Sequence, residues 1–417
     1  MPGHPQENVQ TEDIPRPGFA LRHLARSLAG ITHGRVTLID TNGAQLVLAG
    51  QKPGAEAIWH LKRPWRTLWR LWHRGDIGFA EGYMAGDWNT PDLHALLQFT
   101  MDNEGPLTQA AEPRKWQRNL DRLKHWMRRN HRANSKSNIR RHYDLGNEFY
   151  RHWLDRSMSY SSALFSRGDE ALEIAQQRKY ARLLDRLEAK PGAHILEIGC
   201  GWGGFAEAAA RRGFRVTGIT LSSEQLAYAR DRIARAGLSE QVELYLQDYR
   251  DVVGDYDHIV SIEMFEAVGE HWWPTFFQTL FARLRPGGRA ALQVITIDET
   301  AFQRYRKSAD FIQLYIFPGG MLPPVNLFHE QGDKAGLICL ESAFFGQDYA
   351  ITLRRWFSEI RRSSEIFKAL GYSASFLQMW KYYLAYCEVG FNTARIDLMQ
   401  TILEKPRANT DAAIPGG

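Results

Sequence analysis

From Arg178 to Ile295 the chain alternates short apolar runs with amphipathic stretches, and this alternation restricts it to one class of architecture. The apolar runs are His194–Ile198, Arg215–Thr220, Val242–Leu246, Asp257–Ile262 and Ala290–Ile295. Between them, Tyr180–Leu187, Phe205–Arg212 and Ser223–Ala236 carry apolar residues at helical spacing. Strands that alternate with helices predict a parallel sheet covered on both faces, the doubly wound, Rossmann-like α/β arrangement. The segment from about Phe344 onward, rich in aromatic helices, is expected to close that sheet.

The turn after the first of these strands is Glu197-Ile198-Gly199-Cys200-Gly201-Trp202-Gly203-Gly204. Glycines between a buried strand and a helix let a ligand approach the backbone closely. A dinucleotide site would set G-x-G-x-x-G so that the helix start meets a pyrophosphate. Here the glycines are spaced differently and an acid, Glu197, precedes them. S-adenosylmethionine lacks phosphate and carries an ammonium and a sulfonium, so an acid at the strand end complements it. The second strand ends Thr220-Leu221-Ser222 without an acid, which leaves Thr220 and Gln225 for polar contact with a ribose. Gln247 and Asp248, after the third strand, fall where an adenine would lie. All of these sit at strand C-termini, where open α/β sheets bind ligands.

Around this unit the sequence changes character several times. Residues 1–18 read as a disordered leader, 19–105 as a small α+β domain, 106–141 as a basic amphipathic helix and linker, 142–405 as the α/β domain and 406–417 as a flexible tail. In the small domain, Arg35–Asp40 and Gln45–Leu48 flank Thr41-Asn42-Gly43, a hairpin signal. The stretch 113–141 holds eleven Lys and Arg against one acid, Asp121, with Trp116, Leu120, Leu123, Trp126 and Met127 at near-helical spacing. It suits a linker helix packed on the protein's own core, a membrane-surface contact or a nucleic-acid contact.

Composition excludes several classes. The three cysteines, Cys200, Cys339 and Cys387, form no CxxC pair, which argues against a zinc site or a disulfide framework; no metal is expected. No apolar run approaches the roughly 20 residues of a membrane span, and Met1–Pro17 lacks the apolar core of a secretory signal. The expected location is cytoplasmic. The net charge of +5 favours anionic partners without choosing among them.

His142-Tyr143-Asp144-Leu145-Gly146-Asn147, Met158-Ser159-Tyr160-Ser161-Ser162-Ala163, the glycine loop, Met264-Phe265-Glu266-Ala267-Val268-Gly269 and Tyr315-Ile316-Phe317-Pro318-Gly319-Gly320-Met321-Leu322-Pro323 occur in this order. Together they resemble the cyclopropane-fatty-acyl-phospholipid synthase family, which includes the mycolic acid methyltransferases. The resemblance spans about residues 70 to 400. It implies a class I S-adenosylmethionine-dependent methyltransferase acting on unsaturated acyl chains of an anionic membrane phospholipid, from the inner face of the membrane. It implies no nucleic-acid partner, and it brings in pairing of two copies as a homodimer. Cofactor contacts would fall on Tyr143, Tyr160, Ser161, Gly199, Thr220, Gln225 and Gln247, beside the Glu197 and Gly201 of the loop. The resemblance also implies a bicarbonate ion acting as base. Its ligands would be Ser162, Glu266, Gln293, Ile295 and Tyr349, with Ser162 in place of a Cys, Gln293 in place of a His, and Ala267 replacing another His. The small N-terminal domain would present lipid, mediate dimer contacts or serve as a structural cap.

The chemistry sets what such a site must do. An alkene is a weak nucleophile and a sulfonium methyl a strong electrophile, so in-line placement supplies most of the acceleration. Methyl transfer leaves a cation on the acyl chain, which aromatic faces such as Tyr315, Phe317 or Trp356 would stabilise. A base then removes a proton. Taken from the new methyl group, it closes a cyclopropane; taken from a neighbouring carbon, it leaves a methyl-branched alkene or a methylene group. Gln293 can donate a hydrogen bond but carries no charge, so the base site is altered. Two other readings remain open at this point: a methyltransferase of the same fold acting on another small molecule or on nucleic acid, and a non-catalytic lipid-binding homologue. The Asn/Asp-Pro-Pro-Tyr signature used on base amino groups is absent.

Overall fold

The computed structural model describes residues 15–110 and 146–407 and divides into two compact units, Met1–Arg114 and Lys115–Gly417. The basic stretch 113–141 and Tyr143 lie outside the described residues.

The first unit is a four-stranded sheet with helices. Strand β1 (His33–Ile39) pairs antiparallel with β2 (Gln45–Ala49) and parallel with β3 (Lys52–Leu61), and β3 pairs with the short β4 (Trp88–Asn89). The turn expected around Asn42-Gly43 joins β1 to β2: Asp40 N donates to Ala44 O at 2.9 Å, and Gly43 takes φ +83°. The long helix Pro64–Met84 was not evident from its period. Gly75, at φ 54° and ψ −128°, breaks it, and its buried residues fall almost entirely from Gly75 onward.

The second unit carries a seven-stranded sheet in the order β10-β11-β9-β8-β5-β6-β7. The strands are β5 (His194–Ile198), β6 (Arg215–Thr220), β7 (Val242–Leu246), β8 (Tyr256–Ile262), β9 (Leu284–Ile297), β10 (Ile338–Phe344) and β11 (Ile396–Glu404). The five from β9 to β7 run parallel, as the alternation predicts. The C-terminal part does more than cover the sheet. After the helices Gly346–Arg362 and Ala374–Asn392, β11 enters between β9 and β10, antiparallel to both. Only β11 therefore runs against the other six strands, and the all-parallel expectation fails at that insertion.

Successive residues of a strand face opposite sides, and the core divides accordingly. Ile195 packs with Leu183, Phe205, Val216 and Ala229, while Leu196 packs with Phe265, Phe276, Phe277 and Leu292. Phe276 and Phe277 are fully buried, and truncating either to Ala would cost about 3–5 kcal/mol. This two-sided core fixes the sheet rigidly, so the loops at the strand C-termini are anchored.

Candidate active site

At the end of β5 the glycine loop adopts a path that side chains would obstruct. Gly199, Gly201 and Gly203 have φ of +89°, +50° and +82°. The amides of Gly199 and Cys200 both donate to Ile219 O at 2.9 Å, which pins the loop to β6. A Cβ on Gly199 would lie 3.0 Å from Met264 Cγ, and one on Gly204 would lie 2.8 Å from the Tyr180 hydroxyl. Glu197 is buried, and its Oε2 has no hydrogen-bond partner among the described residues. Burial pushes its carboxyl up to about 8, although Lys179 and Arg232 pull it back. A buried, unsatisfied acid beside an open backbone fits a cationic ligand head such as an ammonium.

Thr220 ends β6, and its hydroxyl donates to Gln225 Oε1 at 3.0 Å. Ser222 caps the following helix, Ser223–Arg235, by accepting from Gln225 N at 3.2 Å. The chain thus brings Glu197, Gly199, Gly201, Thr220 and Gln225 to adjacent strand ends. Gln247 follows β7, half-buried, with its amide donated to Asp251 O at 2.7 Å. The Asp248 carboxylate is taken by Arg250 at 2.5 Å and 2.8 Å. The Tyr160 hydroxyl donates to the Tyr383 hydroxyl at 3.0 Å, and its ring lies 5.5 Å from the buried Trp356. Phe317 also packs near Tyr383, at 6.1 Å, while Tyr315 stacks on Phe311 at 5.4 Å.

Beside this cluster lies a residue that the sequence did not single out. Glu263 follows β8 at φ +49°, a left-handed conformation that costs a non-glycine residue about 1 kcal/mol or more. Its carboxylate collects three donors: Ser162 N at 2.8 Å and Gln293 Nε2 at 2.7 Å on Oε1, and the Tyr349 hydroxyl at 2.6 Å on Oε2. Gln293 is itself held by Gln400 Nε2, which donates to Gln293 Oε1 at 2.8 Å. Serine at position 162 takes part through its backbone, and its hydroxyl turns away to Ala163 O.

The five residues expected to surround a free bicarbonate are therefore divided. Ser162, Gln293 and Tyr349 hold Glu263, whereas Ile295 N donates to Glu266 Oε1 at 2.5 Å. The donors expected to receive an external anion already hold a carboxylate of the chain, so their geometry does not fit a bicarbonate there as well. The bicarbonate expectation assumed an empty seat, and the side chain of Glu263 fills it.

The two glutamates differ in electrostatics. Burial raises the Glu263 carboxyl above its ordinary range, while the Tyr349 hydroxyl, the Lys179 charge, the Gln293 amide and the Ser162 N–H pull it down. Glu266 has less help. Burial and then the charge of Glu263 push it to about 8, against the Ile295 amide, and its Oε2 is buried without a partner among the described residues. With both carboxyls buried together, the negative charge settles on Glu263 and the proton on Glu266.

Lys179 was also missed. It is fully buried on the helix Leu172–Leu187 and donates to Ser161 Oγ and Gln176 Oε1, each at 2.6 Å. Burial lowers its ammonium to about 8, while Glu263, Asp155 and Glu197 raise it. The available signal was a lysine on the apolar side of an amphipathic helix, among Ala175, Leu183 and Leu187.

A family model described as mycolic acid cyclopropane synthetase matches residues 130–401. Tuberculostearic acid methyltransferase UfaA1 of Mycobacterium tuberculosis is 36% identical over 89% of this chain and 88% of its own. Cyclopropane-fatty-acyl-phospholipid synthase of Escherichia coli is 34% identical over 81% of this chain and 85% of its own. Among solved structures, the cyclopropane synthase MmaA2 from M. tuberculosis superposes with a TM-score of 0.61 at 30% identity, covering 65% of this chain and 98% of that one. The mycolic acid cyclopropane synthase CmaA1, in complex with SAH and CTAB, gives the same TM-score at 29% identity, with coverage of 65% and 98%.

Proposed function

The chain belongs to the mycolic acid cyclopropane synthetase family, and from that premise we propose that it methylates carbon in an unsaturated acyl chain of an anionic membrane phospholipid, with Glu263 as its built-in base. It is an S-adenosylmethionine-dependent methyltransferase that modifies lipid acyl chains. The observation that carries the finer reading is the convergence of Ser162 N, Gln293 Nε2 and the Tyr349 hydroxyl on one buried carboxylate.

When bound, S-adenosylmethionine supplies an electrophilic methyl group. Gly199, Gly201 and Gly203 leave room for its amino-acid part, and the free oxygen of Glu197 complements the ammonium. Thr220 and Gln225 serve the ribose, with Ser161, Tyr160 and Gln247 as further contacts, and Tyr143 is assigned from the motif alone. The alkene carbon that takes the methyl group leaves its neighbour electron-poor. The Tyr160, Tyr383 and Phe317 rings offer π-faces to that centre. The Glu263 carboxylate then accepts the proton that leaves the chain, and the C–H electron pair forms the new bond. Its raised basicity suits it to this role. Tyr349, Gln293 and the Ser162 backbone hold the carboxylate in place, and protonated Glu266, anchored by Ile295, avoids a second charge beside it.

Of the two products, we take the methyl- or methylene-branched chain over the cyclopropane. UfaA1, named a methyltransferase, shares a larger part of this chain than the E. coli cyclopropane synthase does. Lipids from a host expressing the chain should show acyl chains one carbon heavier, with branched-alkene proton signals and no cyclopropane ring protons. Ring protons would reverse the choice of product; no methyl-derived carbon in any lipid would sink the proposal.

A further inference from the structure

The helix Pro64–Met84 inverts the usual arrangement of a surface helix. Before its break at Gly75, only Thr67 is buried, while Trp65, Trp69 and Trp72 are 62%, 58% and 62% exposed. At about 100° per residue, positions 65, 69 and 72 fall within an arc of roughly 60°, diametrically opposite Thr67. The three indoles therefore form one stripe directed away from the core of the N-terminal unit. Phe19, 60% exposed on the neighbouring helix Phe19–Ser27, stacks on Trp65 at 5.7 Å and extends the stripe. Monomeric surfaces rarely expose so much contiguous aromatic area without a partner.

The segments that carry the stripe are themselves cationic. Residues 58–75 contain Lys62, Arg63, Arg66, Arg70 and Arg74 and no acid, and the helix Phe19–Ser27 adds Arg22 and Arg26, again with no acid. Two carboxylates answer part of this charge. Asp87, whose side chain is fully buried, pairs with Arg63, Arg66 and Arg70, and Glu81 pairs with Arg70 and Arg74. These pairs hold the helix arm onto the unit. Arg63 and Arg66 remain more than half exposed, and Lys62, Arg22 and Arg26 are exposed as well.

We propose that the Trp65–Trp69–Trp72 stripe, with Phe19 and its cationic rim, is the face on which the protein docks to an anionic phospholipid surface. The occupant must be apolar enough to take indoles and negative enough to meet arginine and lysine, and a bilayer interface is both. A second copy docked through the same face would set cation-rich rim against cation-rich rim. The inference rests on the proposed phospholipid substrate and specifies how the protein reaches it.

Flotation of the full chain with vesicles tests it. Wild type should bind phosphatidylglycerol–phosphatidylcholine vesicles, far less to phosphatidylcholine alone, and release as salt rises. Lipids brominated near the headgroup should quench its tryptophan emission. Trp65→Ser/Trp69→Ser/Trp72→Ser should lower the partition coefficient at least tenfold and lose that quenching, while keeping its circular dichroism and its affinity for S-adenosylmethionine. Should the triple variant misfold, Trp69→Ser alone and Lys62→Glu/Arg66→Glu should each weaken binding several-fold. Unchanged partitioning of folded variants would overturn the proposal. So would a wild-type dimer that the substitutions split without altering vesicle binding, or a stripe quenched by single-stranded oligonucleotide but not by lipid. Methyl incorporation by wild type is scored separately: vesicle binding through the stripe without lipid methylation would sink the proposed function and leave the docking face standing.

Discussion

Replacing Glu263 separates a base from a structural carboxylate. Glu263→Gln keeps the shape and an oxygen for the Ser162 and Gln293 donors but cannot accept a proton. General-base catalysis contributes about 10²–10⁴ in rate, which corresponds to about 3–5 kcal/mol of barrier. We expect kcat to fall within that range with S-adenosylmethionine affinity unchanged. Glu263→Gly acts differently. Glycine suits φ +49°, and removing the side chain leaves Ser162 N, Gln293 Nε2 and the Tyr349 hydroxyl facing a vacant seat shaped for an anion. Formate or bicarbonate should then restore activity to the Gly variant, saturably, and leave the Gln variant inert because its amide still fills the seat. The assay is transfer of labelled methyl from S-adenosylmethionine into unsaturated phospholipid at a series of anion concentrations. Stability gives a second readout. Burial raises the Glu263 pKa, so the folded state binds the proton more tightly than the unfolded chain. The resulting stability is present at low pH and lost as pH rises through the folded value. Glu263→Gln should therefore gain on wild type as pH increases. A Gln variant with more than a tenth of wild-type kcat would refute Glu263 as base.

Activity should decline above about pH 8, where Glu266 gives up its proton and puts a second negative charge beside Glu263. Lys179 also gives up its proton near 8, so the pH profile of Glu266→Gln assigns the limb: loss of the decline implicates Glu266, and a retained decline points to Lys179. Gly199→Ala places a Cβ 3.0 Å from Met264 Cγ at φ +89°, and calorimetry should show at least a tenfold loss of S-adenosylmethionine affinity with the melting temperature lowered by a few degrees. Binding equal to wild type would mean that the loop does not need its open backbone.

The inner parallel strands β5, β6, β8 and β9 were legible because they are buried on both faces and read as largely apolar runs. β5, β6 and β7 match their predicted ends. β10 was not read, since a half-exposed edge strand such as Ile338–Phe344 carries no clear period. Its neighbour β11 was not read either, and no local signal says that Ile396–Glu404 inserts antiparallel between β9 and β10. The cofactor end of the site was legible for a physical reason: glycines at positive φ leave a mark in sequence. Glu263 was not, because a glutamate three residues before Glu266 looks like a surface acid until the fold buries it. Its donors come from positions 162, 293 and 349, far apart in the chain, and only the folded sheet brings them together. Lys179 was hidden in the same way among the leucines of its helix.

The position of Glu263 argues for function from its cost. A carboxylate is taken out of water, set in a left-handed backbone conformation and placed beside a second buried carboxyl, and each of these disfavours the folded, ionised state. Gln293, Tyr349 and a backbone amide offset that cost, and two of the three are themselves anchored, Gln293 by Gln400 and Tyr349 by packing on Phe391 at 4.6 Å. An apolar residue would fill the same volume with none of these demands. What the arrangement provides is a base at fixed distance and high effective concentration, independent of how much bicarbonate the solution holds. If that is why the arrangement persists, wild-type turnover should be flat across bicarbonate concentrations that saturate the vacated seat of the Glu263→Gly variant, and the two curves can be measured in one experiment.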